Sequence, residues 1–203
     1  PELIKKYGDV ITASVSEKDQ GLYHALNKGI AMTTGEVIGM LHSDDFYINN
    51  EVVQKYADTF IKTGADAVYS DLYYVNAHNT DKVIRKWKSG TYREGSFKSG
   101  WMPPHPTFFV KKEVYNRFGD FNLNFKTAAD YELMLRFIHK HKIRLAYLPE
   151  FTIKMRVGGK SNASLLNRLL ANQEDRMAWK TNGLKPGWFT LSLKPLRKIL
   201  QFI

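Results

Sequence analysis

The feature that most constrains the fold is a continuous apolar run, EVIGMLH at 36–42, bounded by polar and glycine residues. Runs of this kind are typical of strands that are covered on both faces in a parallel sheet. A second such run, ADAVYSD at 65–71, follows a stretch whose apolar residues recur at helical spacing between Val53 and Ile61. The order strand, helix, strand predicts an α/β domain with right-handed crossovers.

The flanking segments extend this alternation. VITASV at 10–15 is predicted to be a short strand, and Gly21 to Met32 is predicted to be a helix. Residues 72–90 predict a hairpin whose polar turn lies at Asn76–Asp81. Further elements are predicted downstream: a strand at TFFVKK, a helix from Ala128 to Lys140, strands at IRLAYLP and FTIKMRV, and a helix from about Ser161 to Trp179.

The charge of the chain is unevenly distributed. Residues 1–141 contain 18 Lys/Arg and 17 Asp/Glu, whereas residues 142–203 contain 12 Lys/Arg and 3 Asp/Glu. The basic end suggests an anionic partner, namely a membrane surface, a phosphate-bearing ligand or nucleic acid, or else a solvated surface without a partner. The basic residues are scattered and no nucleic-acid-binding motif is present, so we expect no nucleic-acid partner.

Composition excludes several classes of site. The chain contains no cysteine, which rules out disulfides, thiolate metal sites and cysteine catalysis. It contains no apolar run of 18 residues, so no transmembrane helix is predicted. The lack of cysteine fits a reducing compartment, and we expect a cytoplasmic protein.

Two adjacent carboxylates, Asp44 and Asp45, come directly after the first apolar run. In an open parallel sheet, ligands bind at the carboxyl ends of strands. Two carboxylates there could hold Mg²⁺ or Mn²⁺, which could in turn bridge the oxygens of a diphosphate. The alternative is that the segment SDD is a polar cap of the helix that follows.

Three other features could carry chemistry. Asp130, at the start of a predicted helix, is either a carboxylate favoured by the helix dipole or a general base that faces a cleft. His105 lies between prolines in PPHPT, as a rigidly held polar group or as a surface histidine. The glycine loop RVGGKS at 156–161 could contact phosphate through backbone N–H groups, although it is not a complete P-loop pattern.

The segment SEKDQGLYHALNKGIAMTTGEVIGMLHSDD resembles the nucleotide-binding domain of family 2 glycosyltransferases, which are inverting enzymes of the GT-A fold. Its matching elements are Glu17, Asp19 and Gly21, then Asn27 and Gly29, then TGEVI, and finally Ser43, Asp44 and Asp45. HPTFFVKKEVYNRFGDFN, AADYELMLR and RVGGKS follow in the family's order. The chain is most similar to the branch that acts in bacterial surface polysaccharide assembly, including colanic-acid-type enzymes.

The resemblance implies a fold and a set of roles. The fold would be α/β, a GT-A-like, Rossmann-related mixed sheet flanked by helices over residues 1–160, followed by a basic helical extension at 161–203. Asp44 and Asp45 would bind Mn²⁺ or Mg²⁺, and Asp130 would be the catalytic base. The nucleotide-sugar, expected to be UDP-linked, would be contacted by Asp19, Gly21, Asn27, Asp44, His105, Gly158, Gly159 and Ser161.

Family members usually have a strand, a helix and a strand before the point that PELIKKYGD resembles, so we expect the domain to be incomplete at its N-terminus. The acceptor would be a saccharide or a lipid-linked molecule. The aromatic and basic tail from Gly183 to Ile203 could lie on the inner face of the plasma membrane, or it could pack on the domain or on another copy. A non-catalytic remnant or interaction module is the alternative to an enzyme.

Overall fold

The computed structural model of the chain describes residues 2–158, 165–199 and 201. Six strands form one sheet: β1 (Val37–Ile38), β2 (Asp45–Tyr47), β3 (Ala67–Val75), β4 (Val83–Trp87), β5 (Phe109–Lys111) and β6 (Leu145–Arg156). The strand order is β1–β5–β3–β6–β2, and β4 pairs with β3 outside this path. β3 and β6 are parallel, whereas the other described pairs are antiparallel, so the sheet is mixed.

Helices cover both faces of this sheet. They are α1 (Glu2–Lys6), α2 (Leu22–Met32), α3 (Val52–Thr63), α4 (Lys112–Phe118), α5 (Ala129–Met134), α6 (Leu165–Thr181) and α7 (Thr190–Ile199). α5 continues as a π-helical segment, Leu135–Lys140, and short 3₁₀ turns occupy Gly8–Val10, Ser96–Ser99 and His105–Thr107. No helix within the described ranges is long and apolar enough to cross a membrane.

Several predicted elements are confirmed. α2 and α3 occupy the two segments of helical periodicity, and α3 ends at Gly64, whose φ of 62° is a left-handed conformation that glycine adopts without strain. β3 and β4 form the predicted antiparallel hairpin. The predicted helix at 128–140 is present as α5 and its π-helical continuation.

The strand predicted at 10–15 is wrong. Residues 11–18 have no helix or strand assignment, and residues 10–18 are all exposed. The backbone hydrogen bonds of this segment are local, from Val10 to Tyr7 and from Ile11 to Gly8. A run of β-branched residues forms a strand only where a neighbouring strand offers backbone partners, and no described strand lies there.

The apolar run at 36–42 is not an interior strand. Only Val37 and Ile38 pair, with β5, and they do so at the edge of the sheet. The backbone at Gly39 packs against the Phe109 ring, where a Cβ atom would have no room, and the pairing ends there. Leu41, further along the run, is exposed. The prediction of a strand covered on both faces is therefore wrong for this segment.

The two strands predicted at 143–149 and 151–157 are one strand, β6. Its pairing with β3 passes from Ser70 opposite Leu148 to Asp71 opposite Phe151, so Pro149 and Glu150 form an irregularity within the strand. Proline has no N–H with which to pair, and a bulge is where a strand can accommodate it. The proline therefore interrupts the ladder without ending the strand.

The core has two parts, one on each face of the sheet. On one face, Tyr56 and Phe60 of α3 pack on Val68, Phe109 and Leu148. The larger part lies on the other face and includes α6, whose Ala178 and Trp179 are fully buried. Residues 159–164, which contain the predicted boundary between domain and extension, lie outside the described residues.

Candidate active site

Asp45 is a buried carboxylate at the start of β2. Its Cα lies opposite Met155 of β6, and the residue is 7% exposed. Both carboxylate oxygens are buried, and neither has a hydrogen-bond partner in the described structure. Burial, reinforced by the neighbouring charge of Asp44, raises the pKa of Asp45 to about 7, and Arg156 opposes this rise. An unpartnered buried carboxylate is unfavourable unless a ligand completes it.

Asp44, the residue before Asp45, lies on the surface. The turn that presents the pair is closed by a 3.0 Å hydrogen bond from the Asp45 N–H to the carbonyl of His42. Arg156 of β6 donates from Nη1 to the Asp44 carbonyl at 3.1 Å, which fixes this turn against the sheet. The Asp44 side chain itself is exposed and available to a ligand.

The alternative of a helix cap does not hold. α3 begins at Val52 with Glu51 as its N-cap residue, and the Glu51 N–H is bonded to the Asn49 side chain. Asp45 is instead part of a strand, six residues before that cap. The two carboxylates therefore need another explanation than capping.

The chemistry of the pair fits a hard divalent cation. Mg²⁺ and Mn²⁺ bind oxygen ligands, and Mg²⁺ is commonly held by one or two carboxylates together with substrate phosphates. The orphaned oxygens of Asp45 are such ligands. Residues 2–158, 165–199 and 201 contain no group of three or more His, Cys, Asp or Glu side chains that could hold a metal without a substrate.

Asp130 lies in the first turn of α5, where two side chains from other elements hold its carboxyl group. The Tyr23 hydroxyl, from α2, donates to Oδ1 at 3.4 Å. His105 Nδ1 lies 3.4 Å from Oδ2, so the two predicted site residues are brought together. The His42 ring is 5.5 Å from the His105 ring.

His42 connects the two carboxylate sites: its carbonyl accepts the Asp45 N–H at 3.0 Å, and its ring lies 5.5 Å from the ring of His105, the neighbour of Asp130. Burial, followed by repulsion from His105, lowers the pKa of His42, whereas Asp44 and Asp130 both oppose this effect. The charges of carboxylates from both sites therefore act on the pKa of His42. A neutral His42 leaves negative charge in excess there, as a site for a cation requires.

Glu174 of α6 fixes the segment that leads into Asp130. Its carboxylate accepts the backbone N–H groups of Lys126, Thr127 and Ala128 at 2.8–2.9 Å. The backbone hydrogen bonds to Lys126 and Thr127 contribute to the lowered pKa of Glu174, against the effect of burial. The position of Asp130 therefore depends on α6.

A family model described as "Glycosyl transferase family 2" matches residues 1–131, which is more than half of the chain. The chain belongs to glycosyl transferase family 2. The match includes Asp44, Asp45 and Asp130, the three carboxylates of the candidate site.

Curated relatives agree with this family assignment. An uncharacterized glycosyltransferase of Mycobacterium tuberculosis strain H37Rv is 27% identical over 128 residues, which are 60% of this chain and 45% of the relative. A PGL/p-HBAD biosynthesis glycosyltransferase of Mycobacterium bovis strain BCG is 24% identical over 129 residues, 59% of this chain and 44% of the relative. The aligned part is thus just under half the length of these relatives.

Solved structures show the same fold. The crystal structure of S. aureus TarS 1–349 in complex with UDP-GlcNAc matches with a TM-score of 0.64 at 15% identity, covering 89% of this chain and 52% of the TarS 1–349 chain. A second structure of TarS 1–349 gives a TM-score of 0.61 at 14% identity, and the match covers 97% of this chain and 57% of the TarS 1–349 chain. The predicted mixed α/β fold of GT-A type is confirmed.

Other residues predicted for the family 2 site have structural partners. Asp19 is paired with Lys28 at 2.7 Å and with His24 at 2.9 Å, and these hydrogen bonds, that with Lys28 first, lower its pKa. Gly21 is the N-cap of α2 at φ 128°. The Asn27 side chain donates to the carbonyl of Phe121 at 2.9 Å and accepts its N–H at 3.0 Å. Their contacts with a nucleotide-sugar stay predictions.

Only residues 156–158 of the glycine loop at 156–161 are among the described residues. Gly158, at φ 113°, is exposed two residues after Arg156, the residue that bonds to Asp44. Gly159 and Ser161 lie outside the described residues. A role of this loop in binding phosphate stays a prediction.

Sequence reasoning missed a row of side chains that crosses the family 2 sheet. Arg85 lies opposite Tyr74, Tyr74 opposite Met155, and Met155 opposite Asp45. Residues directly opposite each other project from the same face. The Arg85 guanidinium packs 4.4 Å from the Tyr74 ring centre, and its Nε donates to the Gln201 side chain at 2.8 Å.

Tyr74 shares this face of the sheet with Asp45 and is separated from it by one strand. Burial raises its pKa, Asp45 and Asp130 add to the rise, and Arg85 opposes it. Only the pairing register of β4, β3, β6 and β2 reveals this row, and no local sequence pattern could have done so.

Proposed function

We propose that this chain carries the donor and catalytic site of a glycosyltransferase that moves a sugar from a nucleotide-sugar, expected to be UDP-linked, to a saccharide or lipid-linked acceptor. The observation that carries the proposal is Asp45, whose two carboxylate oxygens are buried without a partner beside Asp44. Membership of glycosyl transferase family 2 and the fold of TarS support the same reaction class.

Asp44 and Asp45 are the residues that would hold Mn²⁺ or Mg²⁺. Such a cation, when bound, neutralises negative charge that develops on a diphosphate leaving group. Asp45 must lose its proton to act as a ligand, and its raised pKa makes this loss dependent on pH near neutrality. Asp44, which is exposed, meets the ligand from the solvent side.

Asp130 is the general base of the proposed reaction. An acceptor hydroxyl oxygen forms a bond to the anomeric carbon as the bond from that carbon to the diphosphate breaks, and the hydroxyl proton passes to Asp130. Tyr23 and His105, each 3.4 Å from one oxygen of Asp130, orient this carboxylate. A single displacement of this kind inverts the anomeric configuration and needs no covalent enzyme intermediate.

The wider role we propose is bacterial surface polysaccharide synthesis of the colanic-acid type, at the inner face of the plasma membrane. The resemblance of the sequence blocks to that branch supports it. We also propose residues 1–160 as the catalytic unit and 161–203 as an extension that contributes Glu174 to the support of Asp130.

Titration calorimetry with UDP-GlcNAc and Mn²⁺ tests the proposal. We expect binding that requires Mn²⁺ in the wild-type chain and is lost in Asp45→Asn, with circular dichroism unchanged. Asp58→Asn, on the exposed side of α3, is the matched control because it also removes one carboxylate. If the wild-type chain binds neither UDP-GlcNAc nor UDP with Mn²⁺, the alternative of a non-catalytic interaction module is favoured.

A further inference from the structure

The C-terminal part of the chain has a one-sided charge that the proposed reaction does not use. Residues 176–203 contain six Lys/Arg and no Asp/Glu. Arg176 and Lys180 on α6, Lys185 in the connection, and Arg197 on α7 are exposed. This surface is therefore positive over its whole length.

Large apolar side chains lie among these cations. Trp188 is 100% exposed and Phe189 is 71% exposed, immediately before α7, and Leu196 on α7 is 55% exposed. Trp188 and Leu196 line adjoining grooves that share Arg176 and Leu191, so both lie on the same side of this region. Full exposure of a tryptophan beside a phenylalanine is unfavourable in water unless a partner covers them.

The orientation of α7 is fixed from its inner side. Thr190 is buried and donates to the carbonyl of Lys98 at 2.6 Å. Lys194 reaches the buried carboxylate of Asp175 on α6 at 2.7 Å. The aromatic side chains are thus held outward by the fold.

A groove of about 420 Å³ separates α6 from the start of α7. Its lining residues are Arg176, Pro186, Gly187, Trp188, Leu191 and Ser192. The groove combines one guanidinium and one hydroxyl with apolar walls. A phosphate group attached to an apolar chain matches this lining, because a guanidinium binds phosphate through paired N–H groups.

We propose that this surface, formed by Arg176, Lys185, Trp188, Phe189, Leu196 and Arg197, docks on an anionic lipid bilayer. Trp188 and Phe189 enter the interfacial region of the bilayer, and Arg176 binds a lipid phosphate in the groove. Aromatic residues that flank a basic amphipathic helix are typical of segments that lie in a membrane interface. Anionic headgroups complement the positive charge.

A second copy of the chain is a poorer occupant of this surface. A twofold interface would bring the same patch of each copy together, and each patch carries several cations without a neighbouring exposed carboxylate after Asp175. Like charges across such an interface repel. A bilayer with anionic headgroups both covers the aromatic side chains and neutralises the cations.

The C-terminal end of α7 contacts the sheet that carries the candidate active site. Gln201, which follows α7, bonds to Arg85 through its side chain and to the Lys86 N–H through its carbonyl at 3.1 Å. Arg85 belongs to the row that ends at Asp45. Lipid binding itself does not depend on sugar transfer, so the two proposals can fail separately.

Tryptophan fluorescence with vesicles tests the docking. Trp101 and Trp179 are buried, Trp87 is partly buried, and Trp188 is fully exposed, so a blue shift on adding vesicles reports on Trp188. With phosphatidylethanolamine–phosphatidylglycerol vesicles we expect this shift and co-sedimentation of the chain. Both should weaken strongly at about 0.5 M NaCl, where charge attraction is screened.

Three variants test which residues are responsible for vesicle binding. Trp188→Ala with Phe189→Ala should reduce the fraction that sediments by about tenfold or more, the effect expected of losing two interfacial aromatic anchors. Ile61→Ala is the matched control, since Ile61 is 82% exposed on α3 and lies outside the proposed surface. Arg176→Gln should reduce the preference for anionic over phosphatidylcholine vesicles and keep the fluorescence shift at high lipid concentration.

Two results would overturn the proposal. One is equal sedimentation of the wild-type chain and the double variant, with native circular dichroism in both. The other is a concentration-dependent dimer of the wild-type chain, seen by light scattering, together with no binding of that chain to vesicles. In this case the double variant would not form the dimer. The latter would make the surface an interface between copies.

Discussion

Tyr74 and Asp45 project from the same face of the sheet and are separated by one strand, at Met155. Burial raises the pKa of Tyr74, and the negative charges of Asp45 and Asp130 add to this rise, whereas Arg85 opposes it. The reacting groups of a sugar transfer would meet between these two carboxylates. Tyr74 is therefore expected to contact a substrate.

Tyr74→Phe should lower kcat/KM for sugar transfer by about tenfold, which is the effect of losing one hydrogen bond. The melting temperature should change little, because the ring and its contact with Arg85 remain. Tyr147→Phe is the control, since it removes a hydroxyl bonded to Asp71 at 2.8 Å. Initial rates with UDP-GlcNAc check this, and equal loss in both variants would argue against a role in the reaction.

Asp45→Asn should stabilise the metal-free protein at high pH. The raised pKa of Asp45 means that the folded state binds this proton more tightly than the unfolded state does. That stabilisation is present below about pH 4 and is lost as the pH rises through about 7. The variant lacks this loss, so its melting temperature should exceed that of the wild type by about 3–6 °C at about pH 8.

Thermal unfolding from about pH 5 to pH 8, with EDTA present, measures this difference. The advantage of the variant should grow with pH, since the unpartnered charge forms only as Asp45 loses its proton. A difference that is constant across the range would contradict the burial of a titrating carboxylate. A difference that grows as the pH falls would contradict the direction of the pKa shift.

Asp130→Asn should reduce kcat for transfer by about 10²–10⁴, the range typical of a lost general base. Donor affinity should be retained, since Asp130 is not expected to bind the donor. His105→Gln should cause a smaller loss and a changed pH profile, because His105 orients Asp130 at 3.4 Å. Rates and titration calorimetry on the same samples separate these effects, and loss of donor binding in Asp130→Asn would contradict its role as base.

Trp179→Ala should destabilise the protein by about 3–5 kcal/mol, as expected for a large aromatic side chain removed from a core. Trp179 is fully buried, and its Nε1 donates to the Tyr131 hydroxyl at 2.9 Å. Trp188→Ala is the control, since Trp188 is fully exposed and should contribute less than about 0.5 kcal/mol. Urea denaturation measures both, and equal effects would contradict the packing of α6 on the domain.

Local patterns in the sequence were sufficient to predict α2, α3 and the helix that begins near Asp130. The periodicity of α2 and α3 is visible in the residues, and the motifs around Asp44, Asp45 and Asp130 mark these carboxylates as candidates whose roles stay predictions. These features depend on neighbours in the chain, which is why the sequence reveals them.

Features that depend on distant pairing were missed or wrongly predicted. The run at 36–42 resembles an interior strand, yet β1 lies at the edge of the sheet because β5 is its one partner among the described strands. Tyr74 and Arg85 lie on the same face of the sheet as Asp45, because the pairing register across four strands aligns them. Trp179 and Glu174 show that α6 supports the domain, which composition alone did not indicate.

The most direct test of the account is the Mn²⁺ dependence of UDP binding as a function of pH. Titration calorimetry of the wild-type chain with UDP and Mn²⁺ should show affinity that rises up to about pH 7 and then levels, with uptake of a proton by the buffer, because Asp45 must ionise to bind the ion. Asp45→Asn should bind no Mn²⁺. Binding that is independent of pH, and equally strong in Asp45→Asn, would contradict the assignment of Asp45 as the metal-binding carboxylate.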